Sequence, residues 1–122
     1  MKFLRILLLL LLSGISLSQA QQTVIKGRAA DDVTIKGAVI LYKHTDYITE
    51  NLYERASVTI ENDSFEIVLK YHDTTEPYIL NHGNKTSKIF LEPDSEYEVI
   101  LGQQGFIITK EPNTQLNKKI MD

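Results

Sequence analysis

The sequence predicts an all-β domain, a two-sheet antiparallel β-sandwich of seven or eight strands. From Thr23 onward, short runs of β-branched, aromatic and aliphatic residues are separated by residues typical of turns. Apolar and charged residues alternate within the runs, as in Phe65, Ile67 and Leu69 around Glu66. Strands of this kind bury one face and expose the other, and many short strands at close spacing favour two sheets packed face to face.

Turn residues separate the predicted strands. Asn62 and Asp63 tolerate left-handed backbone and predict a tight hairpin loop, and residues 81–84 have the same character. Pro93 predicts a type I turn, and residues 102–105, with glycine at both ends, close the last hairpin. The predicted strands are residues 23–28, 37–43, 56–60, 64–70, 78–81, 88–91, 97–101 and 106–109.

The segment of residues 45–54 is the least regular part of the chain and is predicted to be a long connection. Tyr47, Ile48, Leu52 and Tyr53 would pack it onto a sheet. Long loops in compact domains are often functional, but most only connect strands. We therefore interpret this segment as an ordinary crossover.

The first 20 residues have the layout of a secretory signal peptide. Lys2 and Arg5 form a basic start, residues 6–12 are an unbroken apolar run, and small residues precede a cut between Ala20 and Gln21. The apolar stretch is shorter than the roughly 20 residues that a membrane-spanning helix needs. No cysteine lies near the cut, which excludes a lipid-anchored lipoprotein. We expect a soluble exported domain, periplasmic or secreted, with no membrane anchor after cleavage.

Three parts of the chain follow from these assignments: the signal peptide at 1–20, the β-sandwich domain at 21–112, and a C-terminal helical stub or truncated linker at 113–122. Asn113 or Thr114 is predicted to cap a short helix. An isolated helix of about eight residues is marginal in water. It must either dock on the sandwich or begin a further segment.

Charge and cysteine content exclude several function classes. Eleven of the 13 basic residues and all 16 acidic residues follow residue 20, so residues 21–122 carry a formal net charge of −5. An acidic domain with scattered lysines repels phosphate backbones, which argues against nucleic-acid binding. The chain has no cysteine. It therefore offers no redox pair, no thiol nucleophile and no thiolate metal site, and it must fold by packing alone.

The three histidines are the candidates for metal binding. His44 with Asp46 and His72 with Asp73 form local pairs in or beside strands, and His82 lies in a predicted turn. A metal site needs three or four converging ligands, and each pair supplies two. We therefore interpret these histidines as solvated and predict no metal and no cofactor.

The carboxylate pairs and tyrosines have equally plain interpretations. Asp31 and Asp32 are predicted to lie in a solvated loop, and Glu96 and Glu98 on the solvent-exposed face of a strand. No nucleophile elbow or phosphate-binding loop is present, so no catalytic residue is assigned and the chain is predicted not to be an enzyme. The six tyrosines are interpreted as core or rim residues.

Several strand and turn phrases occur together in this chain. They are residues 24–27, 38–42, 62–66, 77–80 and 88–95. Their order resembles a domain of unknown function from exported Bacteroidetes proteins, which commonly precedes a thioredoxin-like domain of the TlpA type. The family phrase Phe-Leu-Glu-Pro-Gly-Asp is matched here without its glycine. The resemblance implies an architecture and no functional residue, since the family's chemistry belongs to the following domain.

Three functional hypotheses remain open from the sequence. The first is an exported, non-catalytic structural or protein-interaction module, which would recruit a partner through an unpaired edge strand. The second is the first domain of a truncated or split thioredoxin-like thiol–disulfide reductase, with its partner an adjacent or fused thioredoxin-like domain. The third is a sandwich that binds sugar or peptide, which a cluster of Tyr47, Tyr53 and their neighbours around a concave surface would favour.

Overall fold

A computed structural model of the protein describes residues 22–31, 33–46, 51–70, 72 and 74–121. The described chain forms eight strands followed by one short helix. The strands are β1 (Thr23–Ala29), β2 (Ala38–Asp46), β3 (Asn51–Thr59), β4 (Ser64–Leu69), β5 (Glu76–His82), β6 (Lys85–Leu91), β7 (Glu96–Gly102) and β8 (Gly105–Lys110), and the helix is α1 (Leu116–Met121). Each predicted strand overlaps one observed strand, so the sequence-based assignment of eight strands is confirmed.

The strands form two four-stranded sheets. Sheet I has the order β4-β1-β7-β8, and sheet II has the order β3-β2-β5-β6. All neighbouring strands are antiparallel except β1 and β7, which run parallel. The predicted all-β sandwich is thus confirmed, with one parallel pair at the centre of sheet I.

The core lies between the sheets and follows from the alternation along each strand. In β4, for example, the buried residues are every second one, beginning with Phe65. Tyr97 of β7 is fully buried, and its hydroxyl accepts a hydrogen bond from the backbone N–H of Glu92 at 2.8 Å. Burial raises the pKa of Tyr97 to about 12, so this side chain is neutral under ordinary conditions.

The turns at Asn62–Asp63 and at Pro93–Asp94 lie where the sequence predicts them, but the second is of another type than predicted. Asn62 and Asp63 have φ of 52° and 56°, the left-handed geometry predicted for this hairpin loop. Asp94, which follows Pro93, has φ of 51°. A type I turn needs a negative φ at this position. The predicted type I turn is therefore wrong, because Asp94 adopts left-handed backbone.

The predicted long connection at residues 45–54 is also wrong. β2 and β3 extend into this segment and pair as a hairpin, with Lys43 opposite Tyr53. Residues 47–50, including Tyr47 and Ile48, lie outside the described residues. Leu52 and Tyr53 are 46% and 58% exposed, so they do not pack onto a sheet as predicted. Leu52 and Tyr53 belong to a strand pair and not to a folded-back loop.

Helix α1 docks on the sandwich, but its predicted caps are wrong. The Glu111 carboxylate accepts the backbone N–H of Asn117 at 2.9 Å, in the first turn of the helix. The hydroxyl of Thr114 instead donates to the Glu92 carboxylate at 2.7 Å. The buried Asn117 side chain bonds the backbone of Phe90 in β6. Tertiary contacts therefore hold a helix that would be marginal alone.

The predicted signal peptide and its cut between Ala20 and Gln21 lie outside the described residues. Within the residues that the structure describes, no helix combines the length and apolar character needed to cross a membrane.

Candidate functional site

Of the three histidines that the sequence suggested as ligands, His72 lies beside the start of β5 and His82 lies at its end, so these two do not meet. The side chains of His44 and Asp46, and all of Asp73, lie outside what is described. His82 ends β5, and its Nε2 is 2.7 Å from the carbonyl oxygen of Lys36. No group of three or more metal-ligating side chains occurs among the described residues.

His72 is buried and not solvated, which corrects the prediction for this residue. Only 3% of it is exposed. Its Nε2 is 2.9 Å from the carbonyl oxygen of Leu91, and its Nδ1 is 3.3 Å from the hydroxyl of Tyr78. Because a carbonyl only accepts, Nε2 carries the proton and donates it to Leu91. His72 thus ties the segment before β5 to the end of β6.

A polar network extends from His72 to the surface of sheet II. The hydroxyl of Tyr78 is also 3.3 Å from Oε2 of Glu76, which lies 2.9 Å from Nζ of Lys43. Burial, followed by the nearby Glu76 carboxylate, raises the pKa of Tyr78, so its hydroxyl keeps its proton. Each polar group named here contacts another group of the chain. The network has the character of an internal support for β5 and not of a site prepared for a substrate.

The Glu76–Lys43 pair predicts a pH-dependent contribution to stability. The hydrogen bond from Lys43 holds the pKa of Glu76 below its ordinary value of 4.5. The pair therefore stabilises the fold above that pH and loses its contribution as the pH falls through the folded-state pKa. We expect Glu76→Gln to lower the free energy of unfolding by about 0.5 kcal/mol at neutral pH, because both side chains are partly exposed.

Urea unfolding of the wild type and Glu76→Gln across the acid range measures this effect. The difference between the two proteins should vanish at the acid end. Glu61→Gln, at an exposed position outside this network, is the control and should change little. If Glu76→Gln were less stable than the wild type by the same amount at every pH, the loss would come from altered packing or hydrogen bonding and not from the charge of Glu76.

The described tyrosines and the exposed pair Glu96 and Glu98 do not come together in one site. Tyr78 and Tyr97 are buried in different sheets, while Tyr53 is exposed on β3. This scatter counts against a tyrosine-lined ligand site in the described part of the chain. Glu96 and Glu98 are exposed, as predicted for the wet face of β7, and Glu96 pairs with Lys26 at 3.0 Å.

A cleft between the edges of the two sheets is the feature best suited to binding. It has a volume of about 640 Å³ and lies between β6, the last strand of sheet II, and β8, the last strand of sheet I. Apolar side chains from both sheets form its floor, and the segment leading into α1 closes one end. The apolar lining residues are Leu80, Ile89, Phe106, Ile107, Ile108 and Pro112.

Side chains join the two edges at the other end of this β6–β8 cleft. The backbone N–H of Phe106 donates to Oγ of Ser87 at 3.2 Å, and Nζ of Lys85 donates to the carbonyl oxygen of Gly102 at 3.0 Å. Among the described residues, no backbone hydrogen bond joins β6 directly to β8. The sheets therefore remain open along this side.

The backbone of β6 presents hydrogen-bonding groups to the cleft. Both the N–H and the C=O of Phe90 bond the side chain of Asn117, at 2.6 Å and 2.9 Å, so they point away from β5. In an antiparallel ladder the direction of the backbone N–H and C=O groups repeats every second residue. The N–H and C=O of Lys88 therefore also point away from β5. Asn117 occupies the place of a partner strand at Phe90, whereas no other described residue bonds the outward backbone groups of Lys88.

The edge of β8 has a matching arrangement. Since the N–H of Phe106 points toward β6, the N–H and C=O of Ile108 also face the cleft. Sequence reasoning anticipated an unpaired sheet edge but did not identify this one. Lys88 and Ile108 belong to different sheets and are distant in the sequence, so no local pattern indicates that their edges converge.

No family model matches this chain, and neither a curated protein nor a solved structure matches it.

Proposed function

We propose that this chain is an exported, non-catalytic interaction module that binds an extended segment of a partner protein in the β6–β8 cleft. The observation that carries the proposal is the pair of sheet edges at Lys88 and Ile108, whose backbone groups face a cleft with an apolar floor. A strand entering there would gain backbone hydrogen bonds for affinity and an apolar surface for its alternate side chains.

The two ends of the cleft favour a short segment over a long strand. At one end Ser87 and Lys85 already tie the edges together, and at the other Asn117 occupies the Phe90 position. The available edge therefore lies around Lys88. A partner that covers this edge must supply hydrogen bonds to its backbone groups, because they would otherwise be buried without partners. A segment in extended conformation supplies them in the way that a neighbouring strand does.

Proline at Lys88 tests strand addition directly. The N–H of Lys88 points away from β5, so proline removes a donor from the cleft without removing a bond of the β5–β6 ladder. We expect Lys88→Pro to weaken peptide binding by at least about tenfold. The peptide would lose one backbone hydrogen bond, and the proline ring would intrude on the contact. The measurement is fluorescence polarisation with octapeptides selected from a random displayed library.

Two variants make the result specific. Thr86→Pro places the same residue at an exposed position of equal orientation on β6 but outside the cleft lining, and binding should stay within about twofold of the wild type. Lys88→Gln removes the charge and keeps the N–H. Failure to select any peptide, or an equal effect of Lys88→Pro and Thr86→Pro, would refute the proposed function.

A further inference from the structure

We infer that the segment bound in the β6–β8 cleft is acidic, with carboxylate side chains alternating with apolar ones. This inference rests on the proposed function and identifies the chemistry of the partner. Its basis is the contrast between the rim of the cleft and the rest of the chain. The protein has a formal net charge of −3, yet the charged residues that line the cleft are Lys88, Lys110, Lys118 and Glu111.

The lysines of the rim have no carboxylate partner among the residues that the structure describes. The ion pairs among the described residues are Lys26–Glu96 and Lys43–Glu76, and neither involves the rim. Nζ of Lys88 lies 5.6 Å from the centre of the Phe90 ring, which orients it along the outer face of sheet II. Glu111, the acidic lining residue, already accepts the N–H of Asn117.

The three lysines do not contribute equally. Lys110 is opposite Glu98 in the β7–β8 ladder, so a carboxylate of the chain already offsets part of its charge. Lys88 and Lys118 are both exposed, one on β6 and the other on α1, which docks against β6 at Phe90. These two cations provide most of the attraction for an incoming anion.

The geometry of an added strand predicts the sequence pattern of the bound segment. Side chains of a strand added beside β6 alternate between the cleft floor and the outer face of sheet II. Inward residues meet Ile89 and Phe106, which favours apolar side chains. An outward residue lies next to Lys88, and opposite charges at neighbouring positions of adjacent strands stabilise the pair. A segment that alternates valine with glutamate satisfies both requirements.

Three acetylated and amidated octapeptides test the inference against the full exported chain. They alternate valine with glutamate, with glutamine or with lysine. We expect the glutamate peptide to bind about tenfold more tightly than the glutamine peptide at low salt, and the lysine peptide to bind most weakly. The advantage of glutamate should shrink severalfold in about 0.5 M salt, because the rim lysines are solvent-exposed.

Charge variants connect the effect to the rim. Lys88→Gln and Lys118→Gln should each weaken binding of the glutamate peptide about threefold and leave the glutamine peptide unchanged. Lys70→Gln, at an exposed lysine of the chain outside the cleft lining, should affect neither peptide. Equal affinity for the glutamate and glutamine peptides would overturn the acidic preference.

The outcomes separate this inference from the proposed function. If both peptides bind equally and both lose affinity in Lys88→Pro, strand addition stands and the charge preference falls. If neither peptide binds and the protein instead dimerises in a manner that Lys88→Pro abolishes, the cleft belongs to a second copy of the chain and the acidic partner is refuted.

Discussion

Gly27→Ala is expected to lower the free energy of unfolding by about 3 kcal/mol, the cost of overpacking a filled core. Gly27 of β1 lies opposite Phe65 of β4, and the Phe65 ring lies across the position that a Cβ would occupy. An added methyl group would overlap ring carbons Cζ and Cε1 of Phe65. The ring is buried and packs edge-on against Phe106 at 6.3 Å between centroids, so it has little room to move.

Two comparisons identify the Phe65 ring as the cause. At Gly102 an added Cβ would lie 3.7 Å from Cβ of Ala30, an ordinary contact, and Gly102→Ala should change stability by less than about 1 kcal/mol. Combining Gly27→Ala with Phe65→Leu should recover part of the loss, because the shorter side chain no longer spans the site. Chemical denaturation measures all four proteins. Equal effects of Gly27→Ala and Gly102→Ala would contradict this explanation.

Asn117→Asp should lower stability by about 2 kcal/mol at neutral pH, although the side chain keeps its size. The amide of Asn117 accepts the N–H of Phe90 and donates to its C=O. A carboxylate still accepts, but it cannot donate, so it leaves the Phe90 carbonyl without a partner in a site where only 2% of residue 117 is exposed. Burial of the new charge adds to the cost.

Acid should relieve this destabilisation. A protonated carboxyl group donates from its O–H and accepts at its C=O, so it can reproduce the pattern of the amide. The introduced carboxyl is thus disfavoured as an anion in the folded state, and the penalty should shrink as the pH falls through its folded-state pKa. Hydrogen exchange at the Phe90 amide and urea unfolding both report this change. Asn113→Asp, at an exposed position before the helix, is the control. If the loss of stability in Asn117→Asp did not change with pH, protonation of the new carboxyl group would be excluded as the explanation.

Asn117 also connects stability with the proposed binding site. Its side chain satisfies β6 at Phe90, two residues from the edge that we propose as the binding position. Detaching α1 would expose a second pair of backbone groups on the same edge. The proposed peptide position and the docked helix therefore lie on neighbouring parts of one strand.

Local patterns in the sequence were sufficient to predict the strands and much of the core. Phe65, Ile67 and Leu69 are buried as their alternation predicts, because a strand places every second side chain on the same face. The left-handed turn at Asn62 and Asp63 was also predictable, since it depends on the conformational preferences of those residues. Pro93 illustrates the limit of local reasoning: its turn was located correctly, but the φ of Asp94 gave it another type.

Contacts between distant residues determined the remaining features. His72 reaches Leu91 across 19 positions, and Asn117 reaches Phe90 across 27. Neither residue carries a local pattern that separates it from a solvated histidine or asparagine. The β6–β8 cleft exists because two edge strands from different sheets converge. Which segments are strands and which of their faces are apolar is a short-range property that can be predicted from neighbouring residues. Which edges lie at the margins of the sheets depends on the order of strands in each sheet, and that order is visible only in the folded protein.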